Sequence, residues 1–364
     1  MKVVCTQENL KVGLSKVGRI ITSSNTLPIL NNLLLKTENG LLKISSTNLE
    51  ISIHTLVRCK IEEPGEVCLP AKIFTDLIQS LPNTNIVLTK HEKEIQVNTD
   101  NYSAVVKSLS ADEFPLIPSV ESVLVVKLPA KILHGALDSV LFAASTNETQ
   151  PEISGIFLTV SNGMLKLVAT DRYRLAEWTT KIPTIPDFSV ILPYKTGQEL
   201  VRALSGLEVM VEVVVGDNQV LFLIGETSIV SRLIDGQYPE YGNIIPQSFL
   251  TTIQCDRSAM LGALKTSGVF SYGTNSVRFG FEDNGAVLTV SSGGQDVGES
   301  IVSVPCVVRG PGSHIIFNYR YIQDVLGVLR GEEIVLYINN DSAPVVFKEV
   351  GEESYMYLVM PIKQ

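Results

Sequence analysis

Residues that build metal sites and disulfide frameworks are scarce in this sequence. Five cysteines and four histidines occur among 364 residues. The cysteines are Cys5, Cys59, Cys68, Cys255 and Cys306. They are odd in number, lie far apart and form no C-x-x-C pair, so neither a disulfide framework nor a zinc site is predicted, and we interpret them as reduced core thiols. The histidines, which have no spacing typical of metal ligands or of a catalytic triad, are His54, His91, His134 and His314.

Long apolar runs and nucleotide-binding loops are also missing. The apolar stretch at the start is too short for the core of a signal peptide, and no segment approaches the roughly 18 uninterrupted apolar residues of a membrane span. No G-x-x-x-x-G-K-[ST] motif occurs, and Gly310-Pro311-Gly312 lacks both its lysine and its spacing. The sequence therefore predicts a soluble cytoplasmic protein that binds no cofactor or metal and does not hydrolyse ATP.

Basic residues are outnumbered by acidic ones. The chain has 29 Lys and Arg against 38 Asp and Glu, a net charge of −9. Because phosphate groups are bound by cationic surfaces, the total charge alone argues against a nucleic-acid ligand.

The sequence does contain three copies of one pattern. Asn-Gly pairs between apolar runs recur at steps of 123 and 122 residues, and each predicts a β-hairpin with a type I′ turn; they are Asn39-Gly40, Asn162-Gly163 and Asn284-Gly285. Starts of predicted helices recur at nearly the same spacing, at Leu69-Pro70-Ala71-Lys72, Leu192-Pro193-Tyr194-Lys195 and Phe317-Asn318-Tyr319-Arg320. So do the helical segments Val12-Gly13-Leu14, Gly135-Ala136-Leu137 and Gly262-Ala263-Leu264. Agreement between three independent features indicates a repeat architecture.

Each copy is predicted to contain two amphipathic helices and about eight short strands. This composition predicts an α+β fold in which helices pack on one face of antiparallel sheet. Proline-rich segments follow the first and second copies, at Phe114-Pro115-Leu116-Ile117-Pro118 and Tyr238-Pro239-Glu240-Tyr241. We therefore predict three domains over residues 1–120, 121–247 and 248–364.

The predicted helices carry a charge opposite to that of the rest of the chain. Over residues 7–20, 71–81, 130–144, 194–205, 256–268 and 319–330, Lys and Arg exceed Asp and Glu by five, which leaves −14 elsewhere. Helices lining a concave face would present a weakly positive surface to a duplex, whereas the outside would repel stray DNA. The charge distribution thus removes the objection raised by the total charge.

Several motifs resemble those of one family. They include Thr26-Leu27-Pro28-Ile29-Leu30, Thr170-Asp171-Arg172-Tyr173-Arg174-Leu175, Asp235-Gly236-Gln237-Tyr238-Pro239 and Tyr357-Leu358-Val359-Met360-Pro361-Ile362. At these residues the chain resembles the bacterial β sliding clamps, the processivity factors of the DNA polymerase III holoenzyme, and the resemblance covers its whole length. It implies a non-catalytic protein whose head-to-tail homodimer forms a ring around double-stranded DNA without reading its sequence.

The resemblance also implies partners and a pocket that receives their peptides between the second and third domains. The partners would be the replicative polymerase, the clamp loader, and repair and translesion polymerases. A deep subsite would comprise Ile153, Thr170, Arg172, Tyr173, Arg174, Leu175, Pro239 and Ile244. The adjoining subsite would comprise Asn318, Tyr321, Pro344, Leu358, Met360, Pro361 and Ile362. Arg174 and Asn318 would hold polar groups of the peptide, and Arg172 stands where the family usually has a small residue.

Further residues are assigned to DNA and to the dimer interface by the same resemblance. DNA contacts are expected from Lys195, Tyr194, Arg202 and Lys16. Basic or aromatic residues that contact DNA in some members are replaced here by Ser24, Gln150, Pro151 and Glu152. The dimer interface would include Val269 and Phe270 of one chain, with Lys72 of the other nearby.

Two other functional classes fit parts of the sequence. One is a cytosolic scaffold that binds proteins through repeated domains without encircling DNA. The other is a hydrolase centred on Asp171 with His134, although a carboxylate beside an arginine more often orients a turn.

Overall fold

The computed structural model describes residues 1–21, 27–117, 119–147, 149–183, 186–271, 273–294 and 298–363.

The first repeat contains α1 (Gln7–Val17), α2 (Ala71–Ser80), β1 (Lys2–Thr6), β2 (Asn32–Glu38), β3 (Leu41–Thr47), β4 (Ile51–Arg58), β5 (Lys60–Glu63), β6 (Glu66–Pro70), β7 (Asn85–His91), β8 (Glu94–Asn98) and β9 (Ser103–Lys107). The second contains α3 (Ala130–Val140), α4 (Tyr194–Leu204), β10 (Leu124–Pro129), β11 (Gly155–Ser161), β12 (Met164–Thr170), β13 (Arg174–Lys181), β14 (Phe188–Pro193), β15 (Met210–Val215), β16 (Gln219–Ile224) and β17 (Thr227–Arg232). The third contains α5 (Arg257–Val269), α6 (Tyr319–Val328), β18 (Thr251–Asp256), β19 (Ser276–Phe281), β20 (Val287–Gly294), β21 (Gly298–Arg309), β22 (Ser313–Asn318), β23 (Glu333–Ile338), β24 (Val345–Glu349) and β25 (Tyr355–Val359).

Two α-helices per repeat form where the periodicity predicts them. Their apolar faces are buried, as Leu10 and Leu14 on α1 and Val325 and Leu326 on α6 illustrate. Asp256 directly precedes α5 and caps it, because its carboxylate accepts a hydrogen bond from the backbone N–H of Ala259 at 2.6 Å. The prediction of an α+β fold with repeated pairs of helices is therefore confirmed.

The chain packs as two compact units. The first combines Met1–His134 with Glu199–Leu233, and the second combines Gly135–Gln198 with Ile234–Gln364. In the first unit the strands form a sheet of order β5-β1-β7-β8-β9 and another of order β10-β15-β16-β17-β4-β3-β2-β6. In the second they form one sheet of order β14-β11-β12-β13-β25-β24-β23-β18-β21-β20-β19-β22.

Sheets continue from one repeat into the next. In the first unit β17 pairs antiparallel with β4, and in the second β13 pairs antiparallel with β25. Each compact unit therefore contains parts of two repeats, a pairing that the repeat pattern does not predict. The domain limits near residues 120 and 247 stay a prediction.

Two of the three predicted type I′ turns are present. Asn39 and Gly40 have φ of 50° and 79°, and Asn162 and Gly163 have φ of 52° and 72°. The prediction for the third pair is wrong, because β19 ends at Phe281 and β20 starts at Val287. There the Asn284 side chain accepts a hydrogen bond from the backbone N–H of Gly310 at 3.0 Å, and this contact with a distant strand end stabilises a longer loop.

No helix among the described residues is long and apolar enough to cross a membrane.

Candidate functional site

The connection between β12 and β13 is a tight turn held by side-chain hydrogen bonds. Thr170 Oγ1 donates to the carbonyl of Arg174 at 2.7 Å and accepts from the backbone N–H of Arg172 at 3.2 Å. Asp171 Oδ1 accepts from the backbone N–H groups of Tyr173 and Arg174, each at 3.0 Å. Short polar side chains that bond to nearby backbone favour such turns, so the Thr-Asp pair fixes the loop locally.

Arg172 occupies the left-handed region of backbone conformation, with φ of 77°. Leu49, its counterpart 123 residues earlier, has the same φ of 77°. A residue without a Cβ adopts this conformation most easily, which explains why a small residue suits position 172. The Arg172 side chain is exposed, and it is positioned by a backbone that the repeat imposes.

The guanidinium group of Arg174 is surrounded by partners. Its Nε donates to Asp171 Oδ2 at 2.9 Å, its Nη1 to Asp324 Oδ2 at 2.5 Å and its Nη2 to the carbonyl of Phe142 at 2.8 Å. The group also lies over the Tyr321 ring, 4.4 Å from the centroid. With its side chain only 12% exposed, Arg174 joins β13 to α6. Arg174 therefore holds the β12–β13 turn against α6, and its expected role in binding a peptide stays a prediction.

The last described strand lies beside this turn. Leu175 of β13 is directly opposite Leu358 of β25, and the backbone N–H of Met360 donates to the carbonyl of Tyr173 at 2.8 Å. The buried Tyr357 hydroxyl donates to the carbonyl of Tyr321 at 2.9 Å. Strand pairing thereby brings together side chains of β13 and β25 that are nearly 200 residues apart in sequence.

An apolar cluster lies beneath the segment that leads from the second repeat to the third. Its buried members are Val168, Leu175, Ile191, Tyr238, Val346 and Leu358, and Met360 packs against them. The ring of Tyr238 stacks on Phe157, with centroids 4.9 Å apart. The segment is therefore held on the sheet by an aromatic side chain buried in the same cluster as Leu175 and Leu358.

A polar contact also holds this segment. The Tyr241 hydroxyl donates to Glu177 Oε2 at 2.6 Å, and Lys166 pairs with the same carboxylate oxygen at 3.1 Å. Burial, together with the Glu177 carboxylate, raises the pKa of Tyr241, so its hydroxyl keeps the proton that it donates. Phe157, Glu177 and Tyr241 were not predicted. The aromatic content of Tyr238-Pro239-Glu240-Tyr241 was a signal for Tyr241, whereas Phe157 and Glu177 lie on two different strands and had none.

The predicted pocket residues fall into two groups. Hydrogen bonds, strand pairing and packing join Thr170, Arg172, Tyr173, Arg174, Leu175, Tyr321, Leu358 and Met360. Within the described residues, no hydrogen bond and no packing in the apolar cluster joins the remaining predicted residues to that set; they are Ile153, Pro239, Ile244, Asn318, Pro344, Pro361 and Ile362. Pro239 and Ile244 flank the Tyr238 and Tyr241 anchors, and Pro344 precedes β24, the neighbour of β25. Asn318 caps α6 by accepting from the backbone N–H of Arg320 at 3.1 Å.

Three of the predicted pocket residues have exposed side chains. Tyr173 is 63% exposed, Ile244 is 47% exposed and Ile362 is 39% exposed. Exposed large apolar side chains can mark a binding surface, so these three residues are available to a ligand.

Basic residues meet in a cleft of the first unit. Lys16 and Arg19, from the end of α1, and Arg202, from α4, line a space of about 270 Å³. Arg202 forms an ion pair with the buried Glu199. Arg19 was not among the predicted DNA contacts, although it contributed to the helix charge. Lys195 is exposed on α4, where the Tyr194 hydroxyl accepts a hydrogen bond from Gln198.

Not every helical cation is available to a ligand. Arg257 of α5 donates from Nε to the carbonyl of Gly331 at 3.0 Å and from Nη1 to that of Leu326 at 2.9 Å. It therefore satisfies carbonyls at the end of α6. Ser24 lies outside the described residues, whereas Pro151 and Glu152 belong to a short 3₁₀ helix that contains no basic residue.

Of the residues assigned to a dimer interface, Val269 and Lys72 are exposed on helices, whereas Phe270 is half-buried and directly follows α5. Val269, at the end of α5, is 74% exposed, and the Phe270 ring lies beside Gly298, where β21 begins. Residues 298–305 of β21 pair with β20, and only residues 306–309 pair with β18. In the part of the chain that the structure describes, the other edge of residues 298–305 is therefore open. Lys72 is exposed on α2 of the first unit.

The carboxylate considered for catalysis is committed to structure. Both oxygens of Asp171 accept hydrogen bonds, one from the backbone of the turn and one from Arg174. Within the described ranges, no three His, Cys, Asp or Glu side chains are grouped as a metal site would require.

Family models of the DNA polymerase III beta subunit match nearly the whole chain. The N-terminal-domain model matches residues 1–118, the central-domain model residues 127–240 and the C-terminal-domain model residues 242–363. These three matches confirm the threefold organisation and the resemblance stated above.

Similar proteins are beta sliding clamps over their full length. That of Synechocystis sp. is 32% identical over 390 residues, covering 100% of this chain and 99% of the relative. That of Bacillus subtilis is 26% identical, with both chains covered completely. Among solved structures, the Pseudomonas aeruginosa clamp bound to griselimycin has a TM-score of 0.95 at 26% identity with full coverage of both chains. The Thermotoga maritima beta subunit has a TM-score of 0.94 at 26% identity, covering 100% of this chain and 99% of that one.

These proteins are processivity factors, that is, non-catalytic subunits of a polymerase, which confirms that prediction and disfavours the hydrolase and scaffold alternatives. The chain belongs to the family of DNA polymerase III beta subunits, the bacterial β sliding clamps.

Proposed function

We propose that two copies of this chain close head to tail into a ring around duplex DNA and tether the replicative polymerase to its template in the cytoplasm. The family match across all three repeats is the observation that carries the proposal. The acidic total charge is compatible with it, because the excess of positive charge lies on the helices.

Weak contacts with phosphates suit such a ring. A protein held on DNA by topology needs no tight binding, and directional hydrogen bonds to bases would stop it from sliding. Lys16, Arg19 and Arg202 supply mobile or exposed cations at one cleft, and Lys195 with Tyr194 supplies a second place of contact. These contacts would be independent of sequence and weakened by salt.

Open strand edges support the assignment of the dimer interface. In the five-stranded sheet β9 is an edge strand, and Val105 on it is 55% exposed. Ile301, on the open portion of β21, is 66% exposed. Pairing of β9 with β21 of a second chain would satisfy both rows of backbone groups and bury these side chains beside Val269 and Phe270.

The surface over the apolar cluster of Leu175, Leu358 and Met360 is the proposed docking site for peptides of partner proteins. Its apolar floor can bury a leucine or phenylalanine side chain of the peptide, which contributes roughly 1.5–3 kcal/mol for each. Asn318, whose Oδ1 caps α6, would offer its amide N–H groups to the peptide backbone. The polymerase, the clamp loader, and repair and translesion polymerases would share this site in turn.

Retention on circular DNA tests the ring directly. The purified protein is loaded onto nicked circular DNA by a clamp loader with ATP, because the chain has no nucleotide-binding loop of its own. After gel filtration we expect the protein to remain with the circle and to be lost when a restriction enzyme linearises it. A loaded circle that is incubated without the restriction enzyme is the control. Equal retention on linear and circular DNA would contradict encirclement and would favour direct binding.

A further inference from the structure

Two cysteines of the third repeat face each other across neighbouring strands. Cys255 of β18 is directly opposite Cys306 of β21. The backbone N–H of Cys306 donates to the carbonyl of Ala286 at 3.0 Å, on the side of β21 away from β18. Because its N–H points away from Cys255, the two cysteines form a non-hydrogen-bonded pair, in which cross-strand side chains are closest.

Two cysteines of the first repeat have the same arrangement. Val3 and Val4 of β1 are opposite Ile61 and Lys60, and this register continued by one residue places Cys59 opposite Cys5. The odd-numbered residues of β1 bond to β7 on the other side, as the bond from Lys90 N–H to the carbonyl of Met1 at 2.9 Å shows. Cys5 and Cys59 are therefore also a non-hydrogen-bonded pair.

The two pairs occupy equivalent positions in the repeat. Cys5 stands two residues before α1, and Cys255 stands two residues before α5. In the second repeat the position two residues before α3 is Leu128. In both pairs one thiol is buried, in Cys5 and Cys255, and the other is half-buried, in Cys59 and Cys306.

The geometry meets the requirements of a disulfide. Cα atoms of a non-hydrogen-bonded antiparallel pair lie about 4.5 Å apart, within the range of about 4.4–6.8 Å that disulfides span. All five cysteines are free thiols here. We infer that Cys5 with Cys59, and Cys255 with Cys306, are two cross-strand dithiols that close reversibly into disulfides when the protein meets a low-molecular-weight disulfide such as oxidised glutathione.

Closure takes two exchange steps. The thiolate of the half-buried Cys306 attacks one sulfur of the small disulfide, forms a mixed disulfide and releases one small thiolate. The thiolate of Cys255 then attacks the Cys306 sulfur and releases the second small thiolate. The two protein thiols are oxidised, the small disulfide is reduced to two thiols, and the two protons pass to the released thiolates. Cys59 and Cys5 would react in the same order.

Burial of the thiols makes closure of the disulfides slow rather than unfavourable. Burial raises the pKa of Cys5 and of Cys255 to about 12, and it also raises the pKa of Cys59 and Cys306. Because the thiolate is the attacking species, the rate should rise about tenfold from pH 7 to pH 8. The pairs would thus remain reduced under ordinary conditions and close during prolonged oxidation.

Counting thiols in the full-length protein tests the inference. The protein is incubated with oxidised glutathione at pH 8, quenched with acid, unfolded and labelled with a maleimide, and its peptides are identified by mass spectrometry. We expect free thiols to fall from five to one, with Cys68 as the remaining one, and peptides joined through Cys5–Cys59 and Cys255–Cys306.

Matched variants separate the pairs. Cys306→Ala should keep the first bridge and lose the second, Cys59→Ala should do the reverse, and Cys68→Ala should keep both. Far-ultraviolet circular dichroism confirms that each variant is folded. The inference is overturned if the wild-type protein keeps five thiols even at pH 9, if glutathione remains attached to Cys59 or Cys306, or if the bridges link other cysteines or separate chains.

Discussion

Arg172 has a backbone conformation that is unfavourable for a residue with a side chain. An L-residue with a Cβ is disfavoured in the left-handed region by roughly 1–2 kcal/mol, and the Arg172 side chain extends into solvent. We predict that Arg172→Gly raises the free energy of unfolding by about 1 kcal/mol, since it relieves this conformation without removing a buried contact. Denaturant unfolding measures the change, and Leu49→Gly, with the same φ, is the matched variant. A loss of stability in both variants would show that the conformation is not strained.

His54 is a second residue whose environment has a measurable effect. It is mostly buried on β4, where Nδ1 lies 2.8 Å from Ser45 Oγ, and burial followed by the nearby Lys43 lowers its pKa to about 4. The unfolded chain, with a histidine pKa near 6.5, therefore binds more protons than the folded chain between about pH 6.5 and pH 4. Stability should fall as the pH drops through that window, by at most about 3 kcal/mol.

The measurement is thermal or denaturant unfolding across this pH window. His54→Gln should flatten the dependence between pH 6.5 and pH 4, because it removes the titrating group. His91→Gln is the control, since His91 is exposed at the end of β7. An unchanged pH profile for His54→Gln would assign the dependence to other groups.

Individual residues were predictable where a local rule decides them. The cap at Asp256 follows from its own sequence neighbours. Arg174 shows the limit, because its partners Phe142 and Asp324 come from distant segments. The sequence could not show that Arg174 bonds to segments 32 and 150 residues away in the chain.

Among the elements, the segment after β17 depends on one aromatic side chain. Tyr238 is buried against Phe157 and shares a cluster with Leu175 and Leu358. We predict that Tyr238→Ala lowers the free energy of unfolding by about 3–5 kcal/mol and weakens binding of a polymerase peptide, because the cluster loses a large side chain. Tyr238→Phe should lose less of both, since it keeps the ring that stacks on Phe157 and removes only the hydroxyl, which bonds to the Val168 carbonyl at 3.5 Å and to the backbone at Thr170. Calorimetry of peptide binding and unfolding curves distinguish these outcomes.

The segment after β25 can be removed without shortening that strand. β25 ends at Val359, so deletion of residues 360–364 leaves its pairing with β13 intact. We predict that this deletion abolishes binding of a peptide containing Leu and Phe, because Met360 leaves the apolar cluster, while the dimer persists. Fluorescence anisotropy measures the affinity and sedimentation measures the dimer. Unaltered peptide affinity would place the docking site elsewhere.

Elements were predicted well where their pattern is local and less well where a distant strand decides the geometry. Two Asn-Gly pairs form type I′ turns between strands that the alternation predicts. The third Asn-Gly pair has the same sequence, yet its hydrogen bonds with Gly310 stabilise a longer loop. The second pair keeps its turn although the backbone N–H of Asn162 donates to Asp187 Oδ1 at 3.0 Å, so the outcome depends on which segment makes the contact.

At the scale of the whole molecule, the exposed end of α5 should decide the oligomeric state. We predict that a variant with Val269→Asp and Phe270→Asp is monomeric, because two charges would have to be buried in the proposed interface. Analytical ultracentrifugation provides the measurement. Val350→Asp, at a position 48% exposed in the turn before β25, is the control and should remain dimeric. A dimeric double variant would contradict this assignment.

The threefold repeat and the fold class could be predicted from sequence because spacing is a property of the chain alone. The sheets that run from one repeat into the next could not, since pairing of β4 with β17 and of β13 with β25 joins strands that are far apart in sequence. For the same reason the contacts of Phe157, Glu177 and Tyr241 that hold the segment after β17 were found only in the structure.

The pairing of β13 with β25 also has a consequence for how the protein is made. During translation β13 leaves the ribosome long before β25, and until then its open edge and the side chain of Leu175 have no partner. A partially synthesised chain can therefore form the β12–β13 turn but not the paired edge beside it. We expect a chain that ends before β25 to leave this edge open and not to bind peptides of partner proteins at the proposed docking site.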